Sequence, residues 1–174
     1  MNALRAGAYG IPFIPVNGML GSDLVDLRPE FFRSMESPFD GQKTVVVKAL
    51  VPDYAIIHVQ EADEYGNARI LGPDFQDVLL ARAAQKTIIT TEKLVNTDVF
   101  RHNPKMTAVP HFLVEAVVLA PGGAKPGICY QEYDHVEDRE MRAYIQAVKD
   151  DTIKDFFQTI TERRIQEWNM APQK

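Results

Sequence analysis

Four histidines, one cysteine and a few clustered carboxylates are the side chains through which this chain could do chemistry. His58, His102, His111 and His135 are scattered, and they match neither the H-x-x-x-H nor the H-E-x-x-H spacing, so spacing supports no metal site. His58 lies inside the apolar run YAIIHVQ and reads as a hydrogen-bonded core histidine rather than a ligand. His111 follows a proline at a strand start and is open to either role. Glu61, Asp63 and Glu64 have the composition of metal-binding or acid–base carboxylates, but their place beside a turn predicts a solvated hairpin end. Cys129 has no basic neighbour to lower its pKa and reads as a silent thiol. Tyr130, Tyr133 and His135 lie among acids; they could line a pocket or pack on a loop. No serine sits in a G-x-S-x-G elbow.

The glycine-rich start, RAGAYGIPF, superficially resembles a phosphate-cradling loop. It lacks the G-x-G-x-x-G spacing and runs from a helix into a strand, the reverse of the nucleotide-binding order, so a helix end and a strand entry are predicted instead. Backbone N–H groups near Gly7, Gly10 and Gly18 could still line a pocket for an anionic or carbonyl group. Residue logic alone finds no self-contained active site.

The elements that must position these groups follow from patterning. Residues 3–8 read as the end of a helix with Gly7 and Gly10 as stop signals. IPFIPV is extended, and its two prolines predict an edge strand. PEFFRSM predicts a short helix. TVVVKAL, YAIIHVQ, KTIITTE and FLVEAVVLAP are apolar and rich in β-branched residues, the pattern of buried strands. YGN, inside DEYGNARI, marks a tight turn. A helix is predicted over residues 73–85, with Phe75, Val78, Leu79 and Arg82 on one face, and Thr97 is the expected cap of a short helix that Pro104 ends. Met141, Tyr144, Ile145 and Val148 form one helical stripe and Ile153, Phe156, Phe157 and Ile160 a second, giving a helical tail over 137–168. Strands alternating with helices predict an α/β fold, layered α/β/α, with a mostly parallel sheet. The helices are few for so many buried strands, so a partial domain is expected.

Composition sets the broad class. A chain of 174 residues with 45% hydrophobic and 25% charged residues suits one soluble domain. A net charge of −5 gives no bulk attraction for nucleic acid or for an anionic membrane. One cysteine rules out an internal disulfide framework, and the start lacks the pattern of a signal peptide, so a cytoplasmic protein is expected.

Four blocks taken in order, LRAGAYGIPFIPVNGMLGSD, ADEYGNARILGP, LLARAAQKTIITTEKLV and VPHFLVEAVVLAPGGAKPGICY, resemble the A (alpha) subunit of two-chain CoA-transferases, of the glutaconate CoA-transferase type. The resemblance runs from Ala3 to Asp134. It implies an α/β/α layered fold shared with sugar-phosphate isomerases, and an RAGAYGIPF segment near the middle of a longer subunit, so that this chain is N-terminally truncated relative to the family. It implies CoA transfer between an acyl-CoA and a carboxylic acid such as a dicarboxylate, with the coenzyme A thioester as substrate and no cofactor. The reacting glutamate is then expected on a partner B (beta) subunit of a hetero-oligomer, and none of Glu61, Glu64 or Glu115 takes that role. Gly10, Pro12, Phe13 and Asn17 are the implied substrate-binding residues on the shared cleft, and Asp63, Gly66 and Asn67 form a family hairpin given a structural role. Two other readings stand beside this one: one of the chains of a CoA-thioester ring-opening hydrolase of steroid degradation, and an inactive truncated subunit or interaction module. An unpaired apolar sheet edge and poor solubility of the isolated chain are also expected.

Overall fold

The computed structural model describes residues 1–133 and 138–170, with only the backbone of Glu167, Trp168 and Met170. His135 falls outside the described residues.

The chain begins with helix α1 (Asn2–Ala8) and builds two sheets. The first is antiparallel, with β3 (Lys43–Lys48) between β1 (Phe13–Val16) and β2 (Phe32–Glu36). The central strand carries Val45, Val46 and Val47, all buried. Pro12 and Pro15 confine β1 to an edge, as expected, because a proline cannot donate to a second neighbour. Helix α2 (Asp23–Leu27) is capped by Ser22, whose Oγ accepts from Leu24 N at 3.3 Å.

The second sheet has the order β5-β4-β6-β7, built from β4 (Tyr54–Ala62), β5 (Ala68–Arg69), β6 (Lys86–Leu94) and β7 (Val114–Leu119). Strands β4, β6 and β7 are parallel, and β5 returns antiparallel beside the end of β4. Parallel neighbours need a crossover, and helix α3 (Asp77–Ala83) makes it between β4 and β6. Period-2 alternation puts Ala55, Ile57 and Val59 of β4 under that helix with Ile89 of β6 and Ala81 of α3, and these form the main core. Thr87 Oγ1 donates to Ala81 O at 3.3 Å and fastens helix to sheet. The opposite face is open: Ile56 is 68% exposed, with Tyr54 and Val118 also exposed. The expected apolar edge is β7, which among the described residues pairs with β6 alone and exposes Val118 and Leu119.

The α/β class and the parallel arrangement hold for the second sheet, while the first three strands form an antiparallel sheet of their own. An apolar run such as TVVVKAL reads the same in either setting. Three local expectations are corrected. PEFFRSM is no helix but contains β2, because pairing with β3 (Phe32 opposite Val47, Met35 opposite Thr44) satisfies its backbone. The helix expected over 73–85 is α3 and is shorter. Phe75 precedes it at φ +37 and is 85% exposed, so the core-facing side is Leu80, Ala81 and Ala84 rather than the Phe75, Val78, Leu79 and Arg82 stripe. Asn96, not Thr97, caps α4 (Thr97–His102), its Oδ1 accepting from Asp98 N at 2.9 Å.

The tail forms α5 (Asp138–Lys149) and α6 (Ile153–Met170), broken near KDD as expected. Tyr144 meets Phe156 edge-on at 5.7 Å between ring centres, joining the two apolar stripes. Buried Glu140 is held by Arg163 at 2.7 Å and Arg164 at 2.9 Å. Arg164 also donates to Lys125 O at 3.1 Å, which ties the tail to the loop that leaves β7. Among the described residues no helix is long and apolar enough to cross a membrane.

Candidate functional site

In an open parallel sheet the carboxyl ends of the strands are where ligands are placed. Here a polar cluster lies beside the carboxyl end of β7, over the middle of β4 and the carboxyl half of β6. Register puts His58 of β4 opposite Thr90 of β6, and Glu92 lies two residues further along the same strand. The loop after β7 then folds back over them, bringing Gly122, Gly123, Cys129 and Tyr133.

Glu92 is the hub. Its Oε1 accepts from His58 Nε2 at 2.7 Å and from Tyr133 Oη at 2.7 Å, and its Oε2 accepts from Gly122 N at 2.7 Å. Tyr133 Oη in turn accepts from Ala124 N at 2.9 Å. Side-chain exposure is 17% for His58 and 5% for Glu92, so the cluster is nearly dry. Burial pushes the Glu92 carboxyl up, but the hydrogen bonds from Tyr133, Gly122 and His58 outweigh it and hold the group below the usual carboxylate range. Burial, and then the bond to Glu92, pushes the Tyr133 phenol up. Burial, and then the charges of Glu92 and Glu132, push the Cys129 thiol up, which agrees with a silent thiol.

The proton positions follow. Glu92 is ionised, so His58 Nε2 carries the hydrogen that it accepts. In the neutral ring, Nδ1 then accepts from Thr90 Oγ1 at 2.8 Å. The Thr90 hydroxyl has a second acceptor, Ile57 O, at 3.5 Å. It turns there whenever Nδ1 is itself protonated. Packing enforces the same arrangement: a Cβ on Gly123 would lie 2.6 Å from His58 Cε1 and 2.9 Å from Ala120 O, so only glycine lets the loop close over the imidazole.

The cluster is therefore a clamp. Both oxygens of Glu92 are engaged by three donors, which hold the carboxylate in a fixed orientation. His58 is a hydrogen-bonded histidine, as expected. Its chemistry-bearing neighbour Glu92 escaped the sequence reading, although one signal was available: it is the single acid in KTIITTE, and a buried carboxylate must be paired.

The hairpin acids separate. Asp63 is fully buried, which corrects the solvated reading, because its carboxylate organises the turn. Oδ1 accepts from Tyr65 N at 3.1 Å and Asn67 N at 2.9 Å, and Oδ2 accepts from Asn67 Nδ2 at 2.7 Å. Asn67 Oδ1 accepts from His111 N at 3.2 Å, so His111 serves this turn. Gly66, at φ +103, packs on Val114, and Glu61 pairs with Arg69 at 3.3 Å. His102 is exposed, with Nδ1 2.6 Å from Asp98 O.

Gly10, Pro12, Phe13 and Asn17 are all exposed, along β1 and its flanking turns. Gly10 adopts φ +68 at the end of α1 with open space around it, whereas Gly7 is packed against Leu50. Among the described residues the sheet that contains β1 shares no strand pairing with the sheet that carries the clamp.

Fold and site together define a layered α/β domain whose polar side chains converge on the parallel sheet under the loop that leaves β7. The family model described as Coenzyme A transferase matches residues 1–120, and the chain belongs to that family. It is 40% identical over 167 residues to the A subunit of glutaconate CoA-transferase from Acidaminococcus fermentans, covering 87% of this chain and 51% of that one. The crystal structure of that transferase superimposes with a TM-score of 0.78 at 35% identity, over 92% of this chain and 54% of that one. A variant of the decarboxylase AibA/AibB superimposes with a TM-score of 0.80 at 35% identity, over 92% of this chain and 58% of that one. The cholesterol ring-cleaving hydrolase IpdA subunit of Rhodococcus jostii is 29% identical over 154 residues, covering 84% of this chain and 52% of that one. The chain thus spans about half the length of the curated A-type subunits it matches.

Proposed function

We propose that residues 1–174 form the C-terminal portion of the A-subunit domain of a CoA-transferase, ending in the helical tail, and that the enzyme moves CoA between an acyl-CoA and a carboxylic acid such as a dicarboxylate. The observation that carries this reading is the state of Glu92. Glu92, the buried glutamate of the parallel sheet, is ionised but held on both oxygens by His58, Tyr133 and Gly122, so it braces the sheet and does not attack. The reacting glutamate then belongs to a partner B subunit.

There it attacks the thioester carbonyl and expels CoA thiolate, leaving an acyl-glutamyl anhydride. The thiolate attacks the glutamyl carbonyl, releasing the first acid and forming a glutamyl-CoA thioester. An acceptor carboxylate reverses both steps. No resident cofactor is needed. A carboxylate is a weak nucleophile, so positioning and fixed donors for the oxyanion supply the acceleration. Gly10, Pro12, Phe13 and Asn17 are this chain's contribution to the shared cleft, supported by their common exposure beside the positive-φ turn at Gly10.

Hydrolysis is the second reading, favoured by the likeness to the ring-cleaving IpdA subunit. One experiment separates the two. The tagged chain is purified with its partner from its own cells and given, in ¹⁸O-water, glutaconyl-CoA with acetate and, separately, a CoA thioester whose acyl group carries a ring. Transfer yields acetyl-CoA with no label from water; ring-opening hydrolysis puts one labelled oxygen from water in the opened-ring product. Absence of acyl-CoA turnover would leave an inert subunit or interaction module and defeat both.

A further inference from the structure

We infer that His58, Glu92 and Cys129 form a binding site for a single zinc-class divalent cation. This inference does not depend on the transferase reading. Imidazole, carboxylate and thiol donor atoms lie within 4.8 Å of one another, and the three residues are buried or nearly so. Sequence spacing could not reveal the set, because His58 and Glu92 are 34 residues apart and meet only through the parallel pairing of β4 with β6.

Three features argue for a metal. The first is donor type: nitrogen, sulfur and oxygen together are what zinc-class ions prefer, with a fourth position left for water. The second is distance. Bonds of about 2.0–2.3 Å put neighbouring donors of a tetrahedral ion roughly 3.5 Å apart. Here the His58–Glu92 contact of 2.7 Å opens a little and the 4.8 Å limit closes a little, movements within side-chain reach. The third is the surroundings. Glu92 is oriented by Tyr133 Oη and Gly122 N, and His58 by Thr90 Oγ1 through its second nitrogen, the outer hydrogen bonds that metal-binding carboxylates and imidazoles use.

Protons and charge balance. On binding, the Cys129 thiol proton leaves to solvent and sulfur bonds the ion. The His58 proton moves from Nε2 to Nδ1, which donates to Thr90 Oγ1, and the Thr90 hydrogen turns to Ile57 O. Thiolate, carboxylate and neutral imidazole around a divalent ion sum to zero, which suits a dry site.

The test uses the full chain, reduced and chelator-treated, titrated with Co(II). Because Cys129 is the one cysteine, a thiolate-to-cobalt charge-transfer band reports this site alone. The band is expected to saturate at one equivalent, to be bleached by one equivalent of Zn(II) and to be lost in Cys129→Ser. Its midpoint is expected to weaken roughly tenfold or more in His58→Gln and Glu92→Gln, and about tenfold in Thr90→Val, which keeps all three donors and guards against a folding defect. No band in the wild type, or a midpoint equal to wild type in every variant that folds, overturns the site.

Discussion

Tyr133 donates to Glu92 across 41 residues of sequence, at 2.7 Å, and this bond fixes the loop leaving β7 over His58 of β4 and Glu92 of β6. The same hydroxyl accepts from Ala124 N, so one oxygen links a buried carboxylate to the loop backbone. Tyr133→Phe therefore orphans a half-buried backbone donor and removes one of Glu92's three donors. Its expected cost is about 1–3 kcal/mol, read as a lower urea midpoint at constant slope.

The clamp also sets an acid limit. The Glu92 carboxyl is depressed in the folded protein, so it favours folding above its unfolded, ordinary carboxylate pKa. That contribution fades as pH falls through the depressed value. Urea midpoints of the metal-free wild type and Glu92→Gln should thus differ most near neutrality and converge as pH falls below the ordinary carboxylate range. A gap that stays constant with pH contradicts this.

Two glycines rank differently. Alanine at Gly123 meets the His58 ring and Ala120 O and should cost about 2–3 kcal/mol, the upper range for overpacking. Alanine at Gly10 meets nothing but keeps φ +68, which should cost about 1 kcal/mol. Thermal melts of the two variants check the order.

Asp63→Ala leaves Tyr65 N, Asn67 N and Asn67 Nδ2 without their acceptor in a half-buried turn. A loss of roughly 2–3 kcal/mol is expected, with faster amide exchange at Tyr65 and Asn67.

Strands β4, β6 and β7 were legible in the sequence because β-branched runs have few alternatives. So were the Gly66 turn, since glycine marks positive φ, and the tail, since its stripes repeat at helical spacing. PEFFRSM misled because two phenylalanines and a methionine suit a helix face as well as a strand paired with Val45–Val47, and pairing is a long-range fact. The clamp was hidden for the same reason. His58 and Glu92 become neighbours only through strand register, and Tyr133 only through the path of a loop. The four cleft residues rest on the family resemblance; locally only Gly10, a glycine at a helix end, announced itself.

The central claim is that the reacting carboxylate lies on another polypeptide while Glu92 braces this one. Its most direct test incubates the purified complex with acyl-CoA and no acceptor, then measures the intact mass of each chain. The account predicts a CoA thioester adduct on the partner chain, retained when Glu92 is replaced by Gln. An adduct on this chain that disappears with Glu92→Gln would contradict it.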